Sequence, residues 1–307
     1  MLSEIAAAAI SFSIGSNNTS NAFGIPVGCG ILNFRNAVIL IGIFVTIGSL
    51  TQRKVMETVG SIASLNRNLA VVVLTISALM IVLSNLKKSP VSSHQVIVGS
   101  IVGAGVATAT AKLGILIPIV VSWILSPIGA MFIAIVVYFL LEKIFSRFSV
   151  FVVERILFLM LILSGVLVAY NTGSNELAAA LAPLVSAKLM SPVEASLLGS
   201  FFLFIGALFM GGRVVETVGK GITALDPLSG FSAQFSAGLT VLFFTNVGMP
   251  VSTTYSLVGG IVGVGLLKGV KAVKLSVIRK ILITWVLAPL SSFLLTYLAI
   301  RFGGVLI

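Results

Sequence analysis

Gly15-Ser16-Asn17-Asn18 and Gly173-Ser174-Asn175-Glu176 are one motif written twice, 158 positions apart. Working outward, Val55-Met56-Glu57-Thr58-Val59-Gly60 returns as Val214-Val215-Glu216-Thr217-Val218-Gly219. Pro90-Val91-Ser92-Ser93, with Val98-Gly99 and Ile101-Val102-Gly103, returns as Pro250-Val251-Ser252-Thr253, with Val258-Gly259 and Ile261-Val262-Gly263. Trp123 and Pro127 return as Trp285 and Pro289. Matches in the same order at a nearly constant offset define an internal duplication. The chain reads as a first repeat at 1–145, a linker at 146–150 and a second repeat at 151–307.

What separates the motifs is apolar. Of 307 residues, 58% are hydrophobic and 9% charged, with a mean hydropathy of +1.20. A soluble domain carries about a quarter charged residues, so this chain cannot clothe a surface in water. At ~20 residues per spanning helix there is material for about ten crossings and none for a separate soluble catalytic domain. Long runs of Ala, Leu and Gly are also unlike the alternating segments of a β-barrel. The fold class is therefore an all-α polytopic membrane protein with about five membrane elements per repeat. Each half parses as a first stretch with a polar interruption (1–31; 151–190), a span (36–51; 194–211) and a short Glu-Thr-Val-Gly segment. A span (68–86; 231–248), a short Pro-started segment (90–108; 250–267) and a closing span (113–141; 275–300) follow.

Lys and Arg number 19 against 8 Asp and Glu, a net +11. The bases sit singly or in short clusters between apolar runs, which is a topology signal rather than a nucleic-acid footprint. Lys268, Lys271, Lys274, Arg279 and Lys280 mark a cytoplasmic loop, whereas the equivalent 108–114 holds only Lys112. Lys87 and Lys88 follow a span whose counterpart ends near Asn246–Gly248 without a base. Equivalent loops with opposite bias predict inverted repeats, with Lys143, Arg147 and Arg155 inside and both termini outside. Arg53 and Lys54 fall on the opposite side from this count. The lone Cys29 excludes an intrachain disulfide. An apolar 1–14 without basic residues predicts no cleaved signal peptide.

Three constellations carry chemistry. Gly15–Asn21 places seven small or amide residues between apolar stretches, where a polar group facing lipid finds no water. Gly15 is expected to let the helix break, Ser and Asn then capping the next half-helix. Pro90-Val91-Ser92-Ser93-His94 and Pro250-Val251-Ser252-Thr253-Thr254 read as helix starts with Pro at the first helical position. Hydroxyls at a positive half-helix end form a neutral anion cradle. Glu176 is an ionisable group inside an apolar stretch and hence a functional candidate; Glu57 and Glu216 are divided between site residues and structural ion pairs. No Arg or Lys lies clearly inside a span, so a bound anion needs dipoles, hydroxyls and a co-transported cation. No ATP-binding loop is present. An enzyme would have only Ser92 with His94, at i and i+2, which do not face each other on a helix. Inverted repeats with interrupted helices point to a secondary transporter.

These residues resemble the inorganic phosphate transporter (PiT) family of phosphate:sodium or phosphate:proton symporters, which includes sulfate permeases. Its Gly-Ala-Asn-Asp-Val-Ala-Asn-Ala signature is similar to Gly15–Phe23 and Gly173–Leu181, and its Pro-Val-Ser-Ser/Thr-Thr-His element to Pro90–Gln95 and Pro250–Tyr255. The resemblance implies a central anion site shared by inverted repeats, in a homodimer in the cell membrane. The signature Asp is Asn18 and Glu176 here, and the second-half Asn is Ala179. The Thr-His pair is His94-Gln95 in the first half, and Tyr255 replaces the second-half His.

The expectation is a symporter of inorganic phosphate with no bound cofactor. Ser92, Ser93, Ser252, Thr253 and Thr254 would hold the anion. Asn17, Asn18, Asn21, Asn175 and Glu176 would bind Na⁺ or relay H⁺, with Glu57 and Glu216 as further ligands; Na⁺ is assigned to Asn17, Asn21, Asn175 and Glu176. Sulfate transport and an anion channel are the alternatives.

Overall fold

The computed structural model describes residues 2–86, 91–222, 226–268 and 275–303, with the side chains of 85–86, 213–222 and 275–281 outside the described residues. Lys87, Lys88, Pro90, Lys271 and Lys274 therefore lie outside them, as do the side chains of Arg279 and Lys280. The described chain is helical, without strands. The first half holds α1 (Leu2–Gly28), α2 (Phe34–Thr51), α3 (Lys54–Gly60), α4 (Arg67–Leu86), α5 (Ser93–Ala107) and α6 (Leu116–Phe145). The second holds α7 (Val150–Asn171), a π turn (Thr172–Leu177), α8 (Ala178–Ser186), α9 (Pro192–Ile222), α10 (Pro227–Asn246), α11 (Thr253–Leu267) and α12 (Leu275–Phe302).

Among the described residues, seven helical stretches are long and apolar enough to cross a membrane. This is a multi-pass membrane protein. The outer faces of α6 and α12 carry large exposed apolar side chains such as Phe132, Phe139, Leu290 and Leu294, as lipid contact requires. By contrast, α5 and α11 are 15 residues each. At 1.5 Å rise per residue they reach about 22 Å, short of the ~30 Å hydrocarbon core; α5 is almost wholly buried and α11 mostly so.

The halves interlock. α1 lies along α9, and reciprocally α2 and α3 lie against α7, the π turn and α8; α5 packs on α12 and α11 on α6. Glycine permits the closest approaches. A Cβ on Gly15 would overlap the Leu203 carbonyl, and one on Gly173 the Val45 carbonyl; Gly99 meets Pro289 as Gly259 meets Pro127. Each contact is the repeat image of the other, the reciprocity a local two-fold axis produces. The equivalent helices α2 and α9 run antiparallel across it. Gly42 faces the Phe204 ring, whereas Ser49, further along α2, meets the hydroxyls of Ser200 and Ser196, earlier along α9. An axis perpendicular to the helices is what an inverted repeat demands. The two ends of α10 are held on opposite faces: Lys268 pairs with Asp226 on one, while Lys54 and Gln52 hold Asn246 on the other.

Three expectations change. The helix does not break at Gly15: α1 continues through the polar stretch, and Gly15 serves close packing on α9 instead. The second Glu-Thr-Val-Gly segment is fused into α9 rather than separate. Pro250 is not in the first turn; Ser252 is the N-cap residue of α11, and Ser92 occupies the same position before α5. Lys54 also has a local partner, its Nζ donating to the Asn246 carbonyl at 2.8 Å, at the negative end of α10.

Candidate functional site

The polar stretch of α1 is buried against protein rather than lipid, and its hydroxyls are mostly self-satisfied. Ser16, Thr19 and Ser20 donate to the carbonyls of Ser13, Gly15 and Asn17. That leaves the amides to reach the other repeat. Asn18 Nδ2 donates to the Glu176 carboxylate, and Asn21 Nδ2 donates to Asn18 Oδ1 at 3.0 Å and Thr254 Oγ1 at 2.8 Å. Asn18 and Glu176 are equivalent positions of the duplication, so the local two-fold passes between them.

In the second half the same stretch adopts the π turn, a distortion frequent at functional sites. Asn175 and Glu176 are both buried there. Asn175 Nδ2 donates to Thr245 Oγ1 (2.7 Å) and the Met249 carbonyl (3.1 Å), while its Oδ1 accepts from Val251 N–H (3.1 Å). This clamps the loop into α11, which Gly248 opens at φ 78°, a backbone angle that favours glycine. Glu176 Oε1 accepts from Thr253 N–H at 3.3 Å, placing the carboxylate at the positive end of α11.

The two half-helix starts have matching backbones. Ser92 has φ −81° and ψ 121°, and Ser252 has φ −82° and ψ 119°. Their side chains differ: Ser252 Oγ accepts from Tyr255 N–H at 3.3 Å, whereas Ser92 makes no capping bond. Ser92 Oγ, Gln95 Oε1 and both His94 nitrogens are buried without completing a hydrogen bond. Buried polar groups are nearly always partnered; Thr253 Oγ1 and Ser256 Oγ are unpartnered likewise at the start of α11, so both half-helix starts are candidate ligand sites.

Ser92, Ser93, Ser252 and Thr253 are thus buried, and Thr254 half-buried, at the two helix starts. Asn18, Asn21 and Glu176 are brought together. Asn175 is adjacent, but its amide is spent on the loop. Asn17 is half-buried and is not brought to the Asn18–Glu176 pair. Glu57 is exposed on α3, outside this cluster, and the side chain of Glu216 lies outside the described residues. The sequence reading missed two supports. Trp123 Nε1 donates to the Pro250 carbonyl at 2.8 Å, and Tyr255 packs against Trp285 with centroids 5.3 Å apart and the rings inclined at 59°. The recurrence of Trp and Pro in the two closing spans was their signal.

Comparison with known proteins agrees with this architecture. Residues 14–296 match the phosphate transporter family. A protein of Methanocaldococcus jannaschii, named as a candidate phosphate permease, is 39% identical over 94% of this chain and 93% of its own length. A sulfate permease of Bacillus subtilis is 28% identical over 94% of this chain and 83% of its own. A solved structure described as the sodium-dependent phosphate transporter superposes with a TM-score of 0.87 at 23% identity, over 98% of both chains. That likeness is one of fold. With the duplication, the paired half-helices and the family match in place, the chain belongs to the phosphate transporter family.

Proposed function

We propose that the protein is a secondary active symporter of inorganic phosphate driven by a Na⁺ or H⁺ gradient, working as a homodimer. The observation that carries this reading is the placing of one buried carboxylate, Glu176, at the N-terminus of α11 and across the local two-fold from Asn18. Ser92, Ser93, Ser252, Thr253 and Thr254, with the N–H groups of their helix starts, hold the anion. Glu176 with Asn18, Asn21 and Thr254 supplies oxygen donors of the kind an alkali cation takes, or a carboxylate that accepts a proton. Among the described residues the buried set includes no Arg or Lys, so the anion's charge is balanced by the coupling cation.

Coupling follows from a shared group. Glu176 occupies the Thr253 N–H that the anion also needs. A cation or proton that draws off the carboxylate's charge releases that N–H, so anion affinity rises when the cation is bound. Alternating access then moves the half-helices and the polar segments against the closing spans.

The test is uptake of radiolabelled phosphate into proteoliposomes under separate Na⁺ and H⁺ gradients. Uptake driven by one of them, and lost in Glu176→Gln, is the expected result. Gradient-driven uptake that survives Glu176→Gln removes the coupling assignment. Sulfate transport is the second reading, favoured by the sulfate permease among the relatives, and strong competition by unlabelled sulfate would select it.

A further inference from the structure

The repeats are not chemically equivalent at one matched pair of positions. On one side of the local two-fold, Asn21 of α1 donates to Thr254 of α11. The repeat images of these residues are Ala179 of α8 and His94 of α5. Both members of the pair have changed together: the amide has shrunk to a methyl, and the hydroxyl has grown to an imidazole. Ala179 and His94 are both buried, at 0% and 1% exposure. A polar pair that satisfies itself has been replaced by a single ring that does not, since neither His94 nitrogen completes a hydrogen bond with the protein.

The ring lies beside Asn175, whose amide is taken up by the loop into α11. In a neutral imidazole one nitrogen is a donor and the other an acceptor, and the neighbour of one decides the character of the other. Whichever nitrogen carries the hydrogen, the other keeps a lone pair that no protein group engages. His94 is in the first turn of α5, directly after Ser92 and Ser93. Every other anion-facing group assigned above, hydroxyl or N–H, can donate. A phosphate at neutral pH keeps at least one P–OH, while sulfate of the same shape has none.

We propose that His94 sets the anion preference of this site, its imidazole accepting the P–OH hydrogen that phosphate carries and sulfate lacks. This rests on the transport reading above. Against sulfate the same lone pair faces an oxygen lone pair, and a buried acceptor left unpaired is a strong discriminator.

The experiment is uptake of radiolabelled phosphate by the full chain in proteoliposomes with graded unlabelled sulfate. Wild type is compared with His94→Leu and with the double variant His94→Thr/Ala179→Asn, which rebuilds the pair of the other half. Phosphate preference over sulfate is expected to fall about tenfold in both, the scale of one hydrogen bond. Thermal stabilisation of the purified variants by phosphate against sulfate reads the same ratio where uptake is slow. An unchanged ratio in the variants, with wild-type phosphate uptake intact, overturns the role of His94 and leaves the transport reading standing. Wild-type vesicles that take up no phosphate under either gradient overturn the transport reading, and the proposal with it.

Discussion

Asn18 and Glu176 occupy the same position of a duplicated motif, yet one is an amide and the other an acid, and each is the other's partner. Two carboxylates at that meeting point would repel; an amide donor and a carboxylate acceptor hold the repeats together without a bound cation. Asn18→Ala leaves a Glu176 oxygen buried without its amide donor. The expected loss is about 1–3 kcal/mol, read as a lower unfolding temperature in detergent. Addition of the coupling cation should recover part of it if Glu176 is a ligand. Both residues were legible from sequence as polar groups in an apolar stretch. Their neighbour Asn17 was equally conspicuous, but successive residues of a helix point about 100° apart, so the motif alone could not say which amides face the partner. Glu57 illustrates the same limit, since a recurring acid in a recurring motif turns out to be exposed on α3.

At the scale of elements, glycine positions decide how closely the repeats interlock. Gly15, Gly173, Gly99 and Gly259 each abut a carbonyl of the opposite half, where a side chain must push two buried helices apart. Gly15→Val is expected to destabilise by at least 1–3 kcal/mol, the usual cost of overpacking, and to yield little monodisperse protein by size exclusion. Gly114→Ala is the control, because a Cβ there meets open space. The short helices α5 and α11 were readable from Pro, Ser and the distance to the next span. The continuity of α1 was not. A glycine among amides looks like a break, and only the backbone of α9 against it shows that closeness, rather than flexibility, is its use.

Over the whole molecule the antiparallel pairing of α2 and α9 sets Asp226–Lys268 on one face and Lys54–Asn246 on the other, and the orientation expected from the basic loop at Lys268 puts the Lys268 face in the cytoplasm. In that orientation the α1–α2 loop lies on the cytoplasmic side. Cys29, the chain's only cysteine, is exposed in that loop and serves as a native reporter. A membrane-impermeant maleimide is expected to leave intact cells unlabelled at Cys29 and to label it after permeabilisation; labelling from outside would reverse the orientation. Partial burial pushes the Cys29 thiol above its ordinary value, so its thiolate fraction is small near neutrality. Labelling of permeabilised cells should therefore accelerate as pH rises from about 7 to 9.

Composition determined by itself that this chain crosses a membrane many times, and the duplicated motifs with their charge asymmetry led to the expectation of two inverted halves. Those properties follow from transfer of residues between water and lipid, which acts on each segment wherever its neighbours lie. The meeting of Asn18 with Glu176, the exchange of Asn21–Thr254 for Ala179–His94 and the exposure of Glu57 were decided only by tertiary structure. They depend on which helix faces abut across the two-fold, and that is set by packing between residues more than a hundred positions apart.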